Sequence, residues 1–276
     1  MVNAECHAVL TDPKQRMSIL KILCITGWGV GTAPLQSLQQ HLAQHDHVME
    51  VLDIFDPHDP EQMQQQLQQV SHYDVLMGWS LGGQLATLLA ERYWQHTGIA
   101  KALITLATQP CFVAHAAWPD AMPVAEFSHF QQAYHDDAAT CIKRFCYLIT
   151  QLPVYAEMPV QVDPKQQRLQ AKSDWLSLQS LLQLPDTPQQ QSRLARGLEL
   201  LAELNLVENW KNYPGRQRHL YAHQDALIKP QVVQQIAELA ETSLHIGYVD
   251  GSHAFPVFNV TETADHIVAM LGQHPQ

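Results

Sequence analysis

Cationic side chains are scarce in this chain. Lys and Arg number 16 against 27 Asp and Glu, charged residues are only 16% of 276, and the formal net charge is −11. No dense Lys/Arg block exists to offer a phosphate backbone a locally positive surface, which excludes nucleic acid as a partner. Cysteine is sparse too: Cys6, Cys24, Cys111, Cys141 and Cys146 are odd in number and show no C-x-x-C spacing. That excludes a disulfide framework and implies buried or bystander thiols in a reducing compartment. Long apolar runs are missing as well. Met1 to Met17 carries Glu5, Asp12 and Lys14, and the next apolar run is broken by Lys21. Neither a signal peptide nor a membrane span is expected, so the protein is expected to be cytoplasmic. There is no internal repeat, and a 46% apolar content is ample for a sizeable core.

What is present is a rhythm. Apolar, β-branched runs at Ser18 to Thr26, Val48 to Phe55, Tyr73 to Met77 and Ala100 to Leu106 read as strands. Amphipathic runs at Leu35 to Gln44, Glu61 to Val70 and Gln84 to Gln95 read as helices between them. Such alternation predicts an α/β fold whose mostly parallel, doubly wound sheet is covered on both faces. The rhythm resumes with a strand at His219 to Ala222, a helix at Pro230 to Glu241, a strand at Leu244 to Val249 and a helix at Glu262 to Leu271. From Pro110 to Gly197 the pattern is helical, without a convincing strand. Residues 110–197 are therefore expected as a helical lid inserted into a core of 1–109 and 198–276. One lid helix is punctuated by Asp163 as a cap and Pro164 at the first helical position, before Lys165 to Gln183. The Gln-rich run Gln62 to Gln69 reads as a solvated helix face.

The chemistry is carried by Gly78-Trp79-Ser80-Leu81-Gly82-Gly83, which joins a strand to a helix. This is G-x-S-x-G in the strand, turn, helix context that lifts a serine hydroxyl above a sheet edge. The alternative is a glycine-rich turn whose serine merely caps the helix. A nucleophilic serine needs a histidine base held in one tautomer by an acid, in the chain order Ser, Asp or Glu, His. Of sixteen histidines, His253 directly follows the last predicted strand, in Gly251-Ser252-His253-Ala254-Phe255-Pro256. Asp225 follows the strand ending at Ala222. Asp250 competes for the role of acid, but it is only three residues from His253 and is better placed to cap that loop. Two backbone N–H groups must meet the developing oxyanion. Leu81 offers one, and Trp28 in Thr26-Gly27-Trp28-Gly29 is the expected second donor. Trp28 and Trp79 read either as core aromatics or as walls of the substrate pocket.

Other motifs are weaker. His41 and His45 are spaced i,i+4 with His47 nearby, yet no H-E-x-x-H pattern is present and a solvated surface is expected. Gly27-Trp28-Gly29-Val30-Gly31 lacks the later glycine of a dinucleotide loop. No metal and no organic cofactor are expected.

These residues also resemble a particular family, the BioH-type esterases that hydrolyse the methyl ester of pimeloyl-acyl carrier protein in the biotin pathway. Matching stretches run in order through Gly27-Trp28-Gly29, the Gly78 to Gly83 elbow, Pro110-Cys111-Phe112, Trp118-Pro119, Arg144-Phe145, Leu184-Pro185, Gly197 to Leu200, Leu220-Tyr221 and the His253 loop. Thr26 stands where the family usually has His. The resemblance implies an α/β-hydrolase with Ser80 as nucleophile, Asp225 and His253 as partners, and Trp28 and Leu81 as oxyanion donors. It also implies that Phe145 lines the acyl channel and that Arg144 lies on the lid face that meets the carrier protein.

Charge pattern adds a docking site for that acidic partner. Lys143, Arg144, Lys165, Arg168 and Lys172 outnumber Glu157 and Asp163 between residues 143 and 172, and Lys165, Arg168 and Lys172 share one helix face. The other reading is an ordinary solvated helix. A monomeric serine carboxylesterase acting on the carrier-bound ester is the expectation. A general short-chain carboxylesterase or thioesterase, or a non-catalytic binding protein of the same fold, are the alternatives.

Overall fold

The protein is represented by a computed structural model that describes residues 19–155, 163–182, 184–239 and 244–272. Ser18, Glu157, Gln183 and Glu241, at the edges of expected features, lie outside these residues, as does Cys6.

β1 (Lys21–Ile25) leads through a short 3-10 turn into α1 (Gln36–Gln44), followed by β2 (Val48–Leu52), α2 (Pro60–Val70) and β3 (Val75–Trp79). Then come α3 (Leu81–Thr97), β4 (Ala102–Leu106), and four helices: α4 (Val124–Asp136), α5 (Ala138–Ile149), α6 (Pro164–Leu181) and α7 (Pro188–Glu203). The chain closes with α8 (Val207–Asn212), β5 (Gln217–Ala222), α9 (Pro230–Glu238), β6 (Leu244–Val249), α10 (Phe255–Phe258) and α11 (Val260–Gly272).

All six described strands pair in parallel, in the order β2-β1-β3-β4-β5-β6. β3 and β4 lie at the centre, where strands buried on both faces must be apolar throughout. Accordingly, every residue of Val75-Leu76-Met77-Gly78-Trp79 is buried. Several helices begin where a side chain can satisfy their first N–H groups. Asp59 accepts from Glu61 and Gln62 ahead of Pro60, Asp163 accepts from the Lys165 N–H ahead of Pro164, and Thr187 and Gln190 form a reciprocal capping box. In α2 the side chains that go inward are Met63 and Val70, leaving the glutamines on the outer face.

Several boundaries differ from the sequence reading. β2 ends at Leu52 rather than Phe55, because Asp53 and Asp56 turn toward α7 and pair with Arg193 and Arg196 at 2.8 Å each. β3 runs on to Trp79, and α3 starts at Leu81 rather than Gln84, so only Ser80 separates strand from helix. Gly197, expected as the last residue of the insertion, lies in the middle of α7, whose leucines Leu194, Leu198 and Leu201 are buried on both sides of it. The short helices α8 and α10 are additions that the sequence periodicity did not reveal.

Candidate active site

The C-terminal ends of parallel strands are where ligands meet an open α/β sheet, and Ser80 stands at the end of central β3. Its backbone adopts φ 56° and ψ −122°, a positive φ that a non-glycine residue accepts only under constraint. The constraint is visible. The Ser80 N–H donates to Leu106 O at 2.8 Å, while its carbonyl accepts from Gly83 N at 2.9 Å and Thr108 Oγ1 at 3.0 Å. The flanking glycines are steric necessities. A Cβ on Gly78 would lie 2.1 Å from the Gly82 carbonyl oxygen, and one on Gly82 would lie 2.1 Å from that of Ile25. Strand and helix therefore approach closely enough to project the serine from the bend between them.

The loops after β5 and β6 bring Asp225 and His253 together. His253 Nδ1 lies 2.8 Å from Asp225 Oδ2 and 3.0 Å from Oδ1, and both residues are fully buried. A buried carboxylate must be compensated by donors. Asp225 Oδ1 also accepts the N–H groups of Leu227 at 2.7 Å and Ile228 at 2.9 Å. Asp250, the competing acid, is exposed, and its backbone is tied to the Glu262 and Asn259 side chains. The far ring nitrogen, His253 Nε2, is buried and has no hydrogen-bond partner among the described residues, so the Ser80 to His253 hydrogen bond is not formed in this structure.

Ser80, Trp28 and Phe145 converge on one cavity of about 200 Å³, walled also by Phe112, Phe127, Phe130 and Leu201. Gln109 and, from the exposed surface, Glu126 add its polar points besides Ser80. Trp28 is the hub of an aromatic cluster, edge-on to Phe145, Phe130 and Tyr134 at centroid distances of 5.1, 5.4 and 5.6 Å. Each such pair contributes about 0.5–1.5 kcal/mol beyond its buried area. The indole N–H of Trp28 donates to Leu194 O on α7 at 2.7 Å, and Thr26 Oγ1 donates to Gly31 O at 2.6 Å, closing the loop that carries it. Leu81 is the first residue of α3, where N–H groups have no intrahelical partner and the helix dipole favours negative charge.

Trp79, expected in the cavity wall, lies outside that lining. Its indole N–H donates to the His253 carbonyl oxygen at 3.0 Å, so its place is behind the histidine. A larger groove of about 700 Å³ lies along α7, lined by Asp56, Arg193, Arg196 and Glu199, and contains none of Ser80, Asp225 and His253. Lys143 and Arg144 on α5 and Lys165, Arg168 and Lys172 on α6 are all exposed, and none enters a salt bridge with another described residue. The two helices pack on one another, and α5 also supplies Phe145 and Leu148 to the cavity.

Sequence reasoning overlooked three supporting residues. Thr108 holds the elbow carbonyl, and Gln84 Nε2 holds the carbonyls of Gln109 and Pro110 at 3.2 Å each. The Tyr155 hydroxyl donates to the Asp225 carbonyl at 2.6 Å. Burial, and secondarily the Asp225 charge, push that phenol up to about 12, so it remains a donor. None belongs to a motif; only the fold reveals them.

The parallel sheet, the strained serine elbow and the buried Asp-His pair define an α/β-hydrolase of the carboxylic ester hydrolase class. A family model described as an uncharacterised protein family, UPF0227, matches residues 31–180. A pimeloyl-[acyl-carrier protein] methyl ester esterase of Aliivibrio fischeri (strain MJ11) is 28% identical over 92% of this chain and 94% of its own. The enzyme of that name from Klebsiella pneumoniae (strain 342) is 30% identical over 72% of this chain and 70% of its own. Among solved structures, an esterase from Exiguobacterium antarcticum superposes with a TM-score of 0.68 at 12% identity, covering 93% of each chain. The chain belongs to UPF0227 and, within the α/β-hydrolases, to the family of the pimeloyl-[acyl-carrier protein] methyl ester esterases.

Proposed function

We propose that this chain is a serine carboxylesterase that hydrolyses the methyl ester of pimeloyl-acyl carrier protein in biotin precursor synthesis. The observation that carries the chemistry is the buried His253 to Asp225 pair at the strand ends that also present the strained Ser80. The relatives' shared activity carries the substrate. Ser80 Oγ attacks the ester carbonyl as His253 Nε2 takes its proton, and the oxyanion is met by the backbone N–H groups of Leu81 and Trp28. Collapse breaks the bond to methoxide, which leaves as methanol with the proton from His253, and the acyl group stays on Ser80. Water then gives a proton to His253 and attacks the acyl-enzyme, and Ser80 departs with that proton to release the free acid. Asp225 keeps Nδ1 protonated throughout and stabilises the imidazolium.

The cavity of about 200 Å³ is smaller than the roughly 300–1,000 Å³ of sites for drug-sized ligands. An acyl chain fits it better than a bulky ring system. The exposed cations on α5 and α6 form the face for the acidic carrier, which is held outside while the chain enters. The four described cysteines are free and buried, which supports a cytoplasmic setting. Purified enzyme should label with a fluorophosphonate probe and hydrolyse the carrier-bound ester, and Ser80→Ala should lose both. Arg144→Glu with Arg168→Glu should raise KM for the carrier-bound ester at least tenfold and leave p-nitrophenyl ester hydrolysis unchanged. An equal effect on both esters would point instead to a general short-chain esterase.

A further inference from the structure

α1 and α11 pack directly against one another although their first residues, Gln36 and Val260, are 224 positions apart in the chain.

At this junction His41, in the last turn of α1, and His45, its C-cap, come together with Asp265 of α11. One ligand atom from each of the three lies within 4.8 Å of the others, and the two imidazole centroids are 5.5 Å apart. We propose that His41, His45 and Asp265 bind one divalent ion of the zinc class, clamping α11 to α1.

Three physical arguments support the assignment. Histidines at i,i+4 share a helix face, and with a carboxylate they make an N2O set that leaves a fourth position to water. Ligands at about 2.0–2.2 Å from a tetrahedral zinc lie roughly 3.4 Å apart, so closure from 4.8 Å needs only rotamer adjustment. His45 and Asp265 are exposed and His41 half-buried, which leaves them that freedom. Moreover, the carbonyl end of α1 points at the site, where the helix dipole favours a cation. His47 is not a fourth ligand: it is buried, and its Nδ1 accepts from the Leu20 N–H at 3.3 Å. The clamp would brace the platform of the His253 loop, because Glu262 on α11 accepts from the Asp250 N–H at 3.2 Å.

The test is Zn²⁺ titration of chelator-treated full chain by calorimetry, with Mg²⁺ as the hard-ion control. Wild type should bind one equivalent of Zn²⁺ at this site and melt a few degrees higher when saturated, while Mg²⁺ does neither. His45→Gln and Asp265→Asn should each weaken that equivalent at least tenfold and remove the melting shift, with circular dichroism unchanged. If wild type shows no saturable equivalent, or if both variants bind as wild type does, the site does not exist. Neither readout depends on ester hydrolysis, so this result and the esterase assignment stand or fall separately.

Discussion

Ser80 is held at φ 56° by what surrounds it, and the cost of disturbing that arrangement differs sharply between glycines. Gly82→Ala would put a Cβ 2.1 Å from a backbone oxygen that cannot swing away. Overpacking costs about 1–3 kcal/mol where side chains can yield, and here the strand itself must move. Gly98, at the end of α3, has φ 73° but nothing within 4 Å of an added Cβ. Gly98→Ala should cost about 1 kcal/mol from the left-handed backbone alone. We therefore expect Gly98→Ala to melt only a few degrees lower and keep full fluorophosphonate labelling, whereas Gly82→Ala loses labelling and melts much lower. Equal behaviour of the two in thermal melts would contradict the steric account. At the acid, Asp225→Asn keeps the shape of the site but lets the imidazole adopt the wrong tautomer. By analogy with a serine protease triad, kcat should fall by roughly 10⁴, as measured in single-turnover ester hydrolysis.

Among the elements, α7 shapes the cavity both by lining it with Leu201 and by backing Trp28. Gly197 lies where a Cβ would meet Trp28 Cδ1 at 2.7 Å and Ile54 Cδ1 at 2.9 Å, so the helix reaches the indole only because this residue has no side chain. Gly197→Ala should push Trp28 toward Phe145, raise KM for the ester severalfold and shift tryptophan fluorescence. Unchanged KM and spectrum would show that the indole yields without consequence. The same helix explains a boundary that periodicity misplaced. An interior glycine looks like a stop in sequence, but here it is a contact. The elbow, by contrast, was legible because its glycines, apolar strand and helix are adjacent in the chain. α8 and α10 were not, since six and four residues are too short to show a helical period. Trp79 was ambiguous for a related reason: alternation says that it is buried, but not that its N–H reaches a carbonyl 174 positions away.

For the molecule as a whole, the charge of −11 is unevenly spread, with residues 110–197 carrying seven basic and eight acidic groups. The acidic excess thus lies on the rest of the chain, so the proposed docking of an acidic carrier meets less repulsion along residues 110–197. Histidine sets a second global property. His219 on β5 is fully buried, with Nδ1 2.7 Å from Thr105 Oγ1 and its ring 4.1 Å from Trp210. Burial, then the Arg218 charge, lowers its pKa from 6.5 to about 3. The unfolded chain binds a proton at His219 below pH 6.5, and the folded chain does not until near pH 3. The contribution to stability is therefore full above pH 6.5 and is lost progressively as pH falls toward 3. Between pH 6.5 and 4.5 the loss is about 2 kcal/mol, the slope approaching 1.36 kcal/mol per unit only once the unfolded imidazole is fully protonated. His47 is shifted in the same direction, chiefly by burial, and adds to the slope. His219→Gln can keep a hydrogen bond to Thr105 but cannot titrate. It should be less stable than wild type at pH 7, and the gap should narrow by about 2 kcal/mol at pH 4.5, read from urea midpoints. Parallel stability curves for the two proteins across that range would mean that His219 is not held neutral by the fold.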